Sequence, residues 1–203
     1  SAGTSATTGD LVTNLSDPTP GTAQNGYVPA DFDGIANNLN NATLASTIIT
    51  PSGGSIIALL WIDTAAFTTG STYDDPAILI NSTADFGLVA TFGGGSNINI
   101  TGYAYDGGYK TKTVNCSSGA YHLVRMRWDG VNLGMTLDSN AEITQACGPL
   151  TAYGGTINVG RAYGGASFFD GRILELMTSA TAISDGDYAA IKLYVNTKYA
   201  LAL

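Results

Sequence analysis

Apolar residues recur along this chain in short runs with a period of two, broken by Gly, Pro, Asn and Asp. That pattern predicts strands joined by tight turns. The most apolar run, residues 55–63 (SIIALLWID), reads as a central strand buried on both faces. Further strands are predicted over residues 44–50, 77–81, 86–92, 97–105, 110–116, 142–146, 156–160 and 172–178. The clearest hairpin begins at residue 121, where His122, Val124, Met126 and Trp128 share one face and Leu123, Arg125 and Arg127 the other. Asp129-Gly130 then supplies the turn, because Gly accepts the positive φ that a tight hairpin needs, and Leu133, Met135 and Leu137 share a face on the return strand. About a dozen short strands without intervening helices predict an all-β, antiparallel sandwich or barrel.

The two ends of the chain depart from this pattern. The first thirty residues hold few large apolar side chains and carry Pro18, Pro20 and Pro29. Residues 1–27 are therefore expected to be an extended lead-in to a single domain over 28–203. Near the C-terminus the period changes to that of a helix: Tyr188, Ile191, Val195 and Tyr199 make one apolar face. Ser184 is the expected N-cap, with Asp185 and Asp187 in the first turn where the helix dipole favours negative charge. This helix is expected to pack outside the sandwich.

Composition narrows the function classes. The 203 residues are 44% hydrophobic and 12% charged, which is outside the range of disordered chains. Eight Lys and Arg against 16 Asp and Glu give a net charge of −8, unsuited to tracking phosphates or anionic lipid, so neither nucleic acid nor a membrane surface is an expected partner. The longest apolar run is about a third of a membrane span. The start, Ser1-Ala2-Gly3-Thr4-Ser5, has no secretory signature, so the chain reads as a mature product, an excised domain or a protein exported by another route, such as release within a virion. Cys116 and Cys147 are the only cysteines. A bridge between them would contribute roughly 3–4 kcal/mol and suits the extracellular look of the composition; two buried thiols are the alternative.

Several segments resemble the concanavalin A-like lectin/glucanase superfamily, specifically its laminin-G-like jelly rolls. Residues 119–124 (GAYHLV), followed by Trp128-Asp129-Gly130, are similar to that group's "W-H-H-V … D-G" hairpin. Ile157-Asn158-Val159-Gly160 resembles its "l-x-I-G" strand, and residues 169–176 (FDGRILEL) its "F-x-G-x-I-x-E-v" strand. Phe32-Asp33-Gly34 with Asn37, Asn38 and Leu39 is similar to the "F-D-G-x-x-d-y-L" opening, and residues 182–185 (AISD) to the "a-L-S-d" ending of bacterial and phage members. The resemblance implies two antiparallel sheets of about six or seven strands, one of them concave.

Candidate chemistry follows from particular residue types. Retaining glycosidases need two carboxyls about 5 Å apart. Glu142 and Glu175, the only two Glu, have no matching acidic neighbour, and Glu175 is expected to bond backbone or Arg172. A Ser-His-Asp triad would have to use His122, the sole histidine, which lies in phase with a packed face and reads as a satisfied core residue. The resemblance implies calcium as a candidate cofactor, since many members of that group hold one with loop Asp, Asn and carbonyl ligands; Asp74, Asp75, Asn81 and Asp106 are the candidates here, and their spacing selects no unique cage. For binding, the cluster Tyr103, Tyr105, Asp106 and Tyr109 combines aromatic faces with a carboxylate, the pairing that grips sugars. Alternate tyrosines there also suit the core or edge of a sheet. Arg161, able to pair with an acidic sugar, and Tyr163 form a second candidate group.

The resulting expectation is an extracellular or virion-surface jelly-roll module without catalytic activity. It would bind a glycan or cell-surface receptor, as part of a phage capsid, fibre or tail, with other virion proteins or further copies of itself as additional partners. A purely structural decoration or adhesion domain is the competing expectation, and a glycan-degrading enzyme the third.

Overall fold

A computed structural model describes residues 12–13, 17–41, 50–63, 76–83, 85–94, 96–151, 154–162 and 167–203. Fourteen strands form two seven-stranded sheets among these residues. One sheet contains β1 (Val12–Thr13), β4 (Leu39–Asn41), β6 (Ala77–Asn81), β7 (Phe86–Gly94), β8 (Asn97–Tyr105), β9 (Tyr109–Ser117) and β13 (Ile157–Val159), in the order β1-β4-β13-β6-β7-β8-β9. The other contains β2 (Thr19–Pro20), β3 (Ala30–Asp33), β5 (Gly54–Ile62), β10 (Tyr121–Trp128), β11 (Asn132–Leu137), β12 (Ile143–Ala146) and β14 (Asp170–Ser179), in the order β12-β11-β10-β5-β14-β3-β2. Every pairing between these strands is antiparallel. The expected two-sheet jelly-roll sandwich is thus the architecture, with the predicted strand at 44–50 lying largely outside the described residues.

Alternation fixes which side chains meet between the sheets. Ile56, Ala58, Leu60 and Ile62 of β5, with Val124, Met126 and Trp128 of β10 and Leu133, Met135 and Leu137 of β11, project into one core. Leu88, Ala90, Ile98, Ile100 and Ala104 meet them from the opposite sheet. Trp128 lies over its register partner Gly54, where an added Cβ would fall 2.2 Å from the indole.

The other face of the β5 sheet is covered by helix α1 (Asp185–Tyr199). Ile57, Leu59 and Leu123 pack there against Tyr188, Val195 and Tyr199, so β5 is buried on both sides as its unbroken apolar run predicts. Ser184 caps the helix, its hydroxyl accepting the Asp187 N–H at 3.1 Å. Arg125, 1% exposed, pins the helix start to the sheet. Its guanidinium donates to the carbonyls of Ile183 and Ser184 at 3.2 Å each, to Thr136 Oγ1 at 2.9 Å and to Asp185 Oδ1 at 2.6 Å. It also lies 4.7 Å from the centre of the Tyr188 ring.

Described residues among the first 27 are tied to the sandwich. β2 adds to the edge of β3 and β1 to β4, while Gln24 and Asn25 donate to the carbonyls of Tyr199 and Lys198 at the end of α1.

The two cysteines are separate buried thiols, which corrects the expected bridge. Cys116 pairs with Ile98 near the end of β9, whereas Cys147 precedes Gly148, whose N–H is held by Asp106 beside the opposite end of that strand. Seven strand steps lead from Tyr109 to Cys116, about 23 Å, far beyond disulfide reach. Burial, then the nearby carboxylate of Asp138, pushes the Cys116 thiol up to about 12. Burial and then Asp106 raise Cys147 to about 11.

Candidate functional site

The hairpin of β8 and β9 arises from two alternating sequences, NINITGYAY and YKTKTVNCS. On β8 the residues Ile98, Ile100 and Ala104 enter the core, so Asn97, Asn99, Thr101, Tyr103 and Tyr105 project outward. Register places Ser117, Asn115, Thr113, Thr111 and Tyr109 of β9 opposite them in that order. Asn97, Thr111, Thr113, Asn115 and Ser117 are exposed; Asn99 and Thr101 are partly so. Thr101 and Thr113 hydroxyls share a hydrogen bond of 2.8 Å across the strands. The outward positions of both strands carry no charged side chain: Lys110 and Lys112 stand on the opposite side of β9, in register with Ala104 and Gly102.

At one end of this polar face sit the predicted tyrosines. Tyr105 and Tyr109 are register partners, and their rings meet edge to face with centroids 4.9 Å apart. Tyr109 is 41% exposed. Asp106 begins the connecting turn, but its carboxylate is engaged: Oδ2 accepts the Gly148 N–H at 2.8 Å and Oδ1 lies 3.6 Å from the Lys110 ammonium. It therefore braces the turn against the 147–150 segment. Tyr103 lies on the same face yet is fully buried with Ala77, Ile80 and Val89. Its assignment as a ligand contact is corrected: its ring, 6.2 Å from that of Tyr109, backs the exposed pair instead.

Arg161 is not brought to this site. It follows β13 and bridges to Phe168, and β13 stands three strands from β8, about 14 Å at ordinary strand spacing. Tyr163 lies outside the described residues, as do Asp74 and Asp75. The remaining calcium candidate, Asn81, is fully buried and spent on its own turn. Its Oδ1 accepts from the Asp85 and Phe86 N–H groups at 2.8 and 3.1 Å, and its Nδ2 donates to Thr83, Asp85 and the Gly154 carbonyl. With both ends of the amide engaged, Asn81 is removed from the candidate ligands. Among the described residues no three acidic, Cys or His side chains gather as a metal cage.

The acidic residues considered for hydrolysis sit at opposite ends of α1. Glu142 forms a double hydrogen bond with Arg127, both contacts 2.6 Å, beside Arg125 and the helix start. Glu175 meets Lys198 at 2.5 Å and the Tyr199 hydroxyl at 2.6 Å near the helix end, so its partner is Lys198 where Arg172 or backbone was expected. Thirteen helical steps from Asp185 to Lys198 separate the two groups by about 20 Å, well beyond the spacing of a retaining carboxyl pair.

His122 does meet a serine and an aspartate. Nδ1 lies 2.8 Å from Asp138 Oδ2, while Nε2 lies 3.3 Å from Ser117 Oγ and 3.0 Å from the Ser117 carbonyl. Nε2 lies nearer the Ser117 carbonyl than the Ser117 hydroxyl, so backbone at the end of β9 is its closest partner. Arranged this way, His122 clamps the end of β9 to the end of β11, in keeping with the satisfied residue expected from its phase.

What the sequence reading missed is the row of Asn, Thr and Ser along the outward face. Its signal was present, since these residues alternate with Ile98, Ile100, Val114 and Cys116; which face stays open depends on the packing of the sheets.

No family profile and no curated protein matches the chain in sequence. Solved structures match its fold. A heptameric SAP-like pentraxin from Limulus polyphemus aligns with a TM-score of 0.61 at 12% identity, over 84% of each chain. Domain 4 of AbnA, a GH43 extracellular arabinanase from Geobacillus stearothermophilus solved in complex with arabinotriose, aligns with a TM-score of 0.62 at 10% identity, covering 81% of this chain and 76% of that one. The enzymatically active domain of tailspike protein 2 from bacteriophage CBA120 aligns with a TM-score of 0.57 at 14% identity, covering 92% of this chain and 32% of that one. The chain is thus similar to these proteins in backbone course, and its fold is the two-sheet jelly-roll sandwich.

Proposed function

We propose that this chain is a non-catalytic recognition module that binds a glycan through the outward face of β8 and β9. The observation that carries this reading is the exposed Tyr109, braced edge-on by Tyr105, at the end of an uncharged row of Asn, Thr and Ser side chains. Aromatic rings stack on the C–H faces of sugars, and amides and hydroxyls both donate and accept toward sugar hydroxyls. The row from Tyr109 to Ser117 extends about 26 Å, long enough to follow several sugar units. Support of a weaker kind comes from the fold, which it shares with an arabinanase domain solved with arabinotriose. Display on a surface, including that of a phage virion, is part of the proposal and rests on the resemblance of the C-terminal stretch to phage-encoded members.

The test is a glycan array, run with and without calcium, followed by calorimetry on the best ligand. Saturable binding that falls at least tenfold in Tyr109→Ala, with the circular dichroism spectrum unchanged, is the expected result. A protein that binds no glycan class, or whose binding is unaffected by Tyr109→Ala and by Thr113→Val, would overturn the reading. Release of reducing ends from polysaccharides would replace it with the enzymatic one.

A further inference from the structure

Helix α1 has a second face that the sandwich does not cover. Gly186, Ala190, Leu193, Tyr194 and Thr197 follow helical spacing along it, and all five are exposed. Leu193 is 68% and Tyr194 48% exposed, and beside them the turn at residues 24–27 presents Tyr27, 46% exposed. Three of the eight exposed large apolar side chains among the described residues therefore gather on one surface, where single scattered ones are the norm. Tyr27, Leu193 and Tyr194 line a groove there with Lys198 at its side.

We propose that this surface is the contact between two copies of the chain, packed with their α1 helices antiparallel about a two-fold axis near Leu193. Charge placement selects this occupant. Asp187 and Lys198 are eleven residues apart, which at about 100° per residue puts them on the same flank of the stripe, within about 20° of each other. Their midpoint falls between Lys192 and Leu193. In an antiparallel pair centred there, Asp187 of each copy lies opposite Lys198 of the other, and the acidic helix starts meet the basic helix ends. The helix dipoles are antiparallel as well. Glu175 and the hydroxyls of Tyr194 and Tyr199 hold the Lys198 ammonium in place on this flank, so its charge is fixed where Asp187 of the other copy arrives. Small side chains at 186 and 190 let the helices approach closely. The opposing force is the net charge of −8 on each copy, which salt at physiological strength screens beyond about 8 Å.

Sedimentation velocity of the whole chain over a wide concentration range tests the proposal. The expected result is a monomer–dimer equilibrium that Leu193→Glu abolishes and Asp187→Asn weakens on the order of fivefold, with thermal melting preserved. Cysteine cross-linking keeps the test independent of folding losses. Under mild oxidation Leu193→Cys should give a covalent dimer, whereas Ile35→Cys, 75% exposed on another surface, should not. The native thiols are buried and held in their unreactive protonated form. A chain that stays monomeric at all concentrations, that captures only other proteins through this face, or that cross-links equally through both sites would overturn the proposal.

Discussion

Ala200 closes helix α1 with φ at +53°, a left-handed conformation that disfavours any side chain with a Cβ. Its N–H caps the Asn196 carbonyl, so the turn itself is useful and the strain is local. Ala200→Gly is expected to stabilise the protein by roughly 0.5–1 kcal/mol, read as a rise in the thermal midpoint; a fall would show that unfolded-state entropy outweighs the strain. Asp170 is a second local conflict. Burial, then the carboxylates of Asp63, Asp31 and Asp33, raises its carboxyl above the ordinary range. A raised carboxyl favours the folded state while protonated and opposes it once ionised. Asp170→Asn should therefore raise the midpoint at pH 7 and leave it unchanged below about pH 3, where Asp is protonated in both states.

Among the elements, α1 shows how one buried group can hold a whole segment. The sandwich face of the helix supplies apolar contact through Tyr188, Val195 and Tyr199, but its starting turn is set by Arg125, which reaches through the sheet surface to two carbonyls and Asp185. Arg125→Ala removes those bonds and leaves the Thr136 hydroxyl and the Glu142 and Asp185 carboxylates with a partner fewer. The expected cost is about 3 kcal/mol, or roughly 6–12 °C in the melting midpoint for a chain of this size. Arg125→Met, which keeps the packing volume, should recover part of it. Equal losses in both variants would mean that the hydrogen bonds contribute little and the helix is held by its apolar face alone.

For the molecule as a whole, the pH response is the sum of opposed groups. Burial works to raise the Glu175 carboxyl, but hydrogen bonds from Lys198 and Tyr199 outweigh it and hold the group below its ordinary value. Asp33 and Asp129, bonded by backbone N–H groups, and Asp185, bonded by Arg125, are lowered too. A lowered carboxyl contributes stability that is complete above its unfolded value, near pH 4, and is lost as pH falls through the folded value. Four such groups against Asp170 predict a net loss of stability below about pH 4, and Glu175→Gln should make that loss shallower in denaturant titrations at successive pH values. By itself the sequence determined the strands β5 to β14, their inward and outward sides, the Asp129-Gly130 hairpin and the capped helix, because each follows from alternation, turn chemistry or spacing within a few residues. Tertiary structure decided the rest, because burial is set by whichever element lies on top. Tyr103 and Tyr105 have the same phase on β8, yet only Tyr103 is sealed among Ala77, Ile80 and Val89. Cys116 and Cys147 are similar in sequence terms to a bridged pair, yet the length of β9 holds them apart. The open row of Asn and Thr, and the uncovered side of α1, became visible only once the two sheets and the helix had taken the other faces for the core.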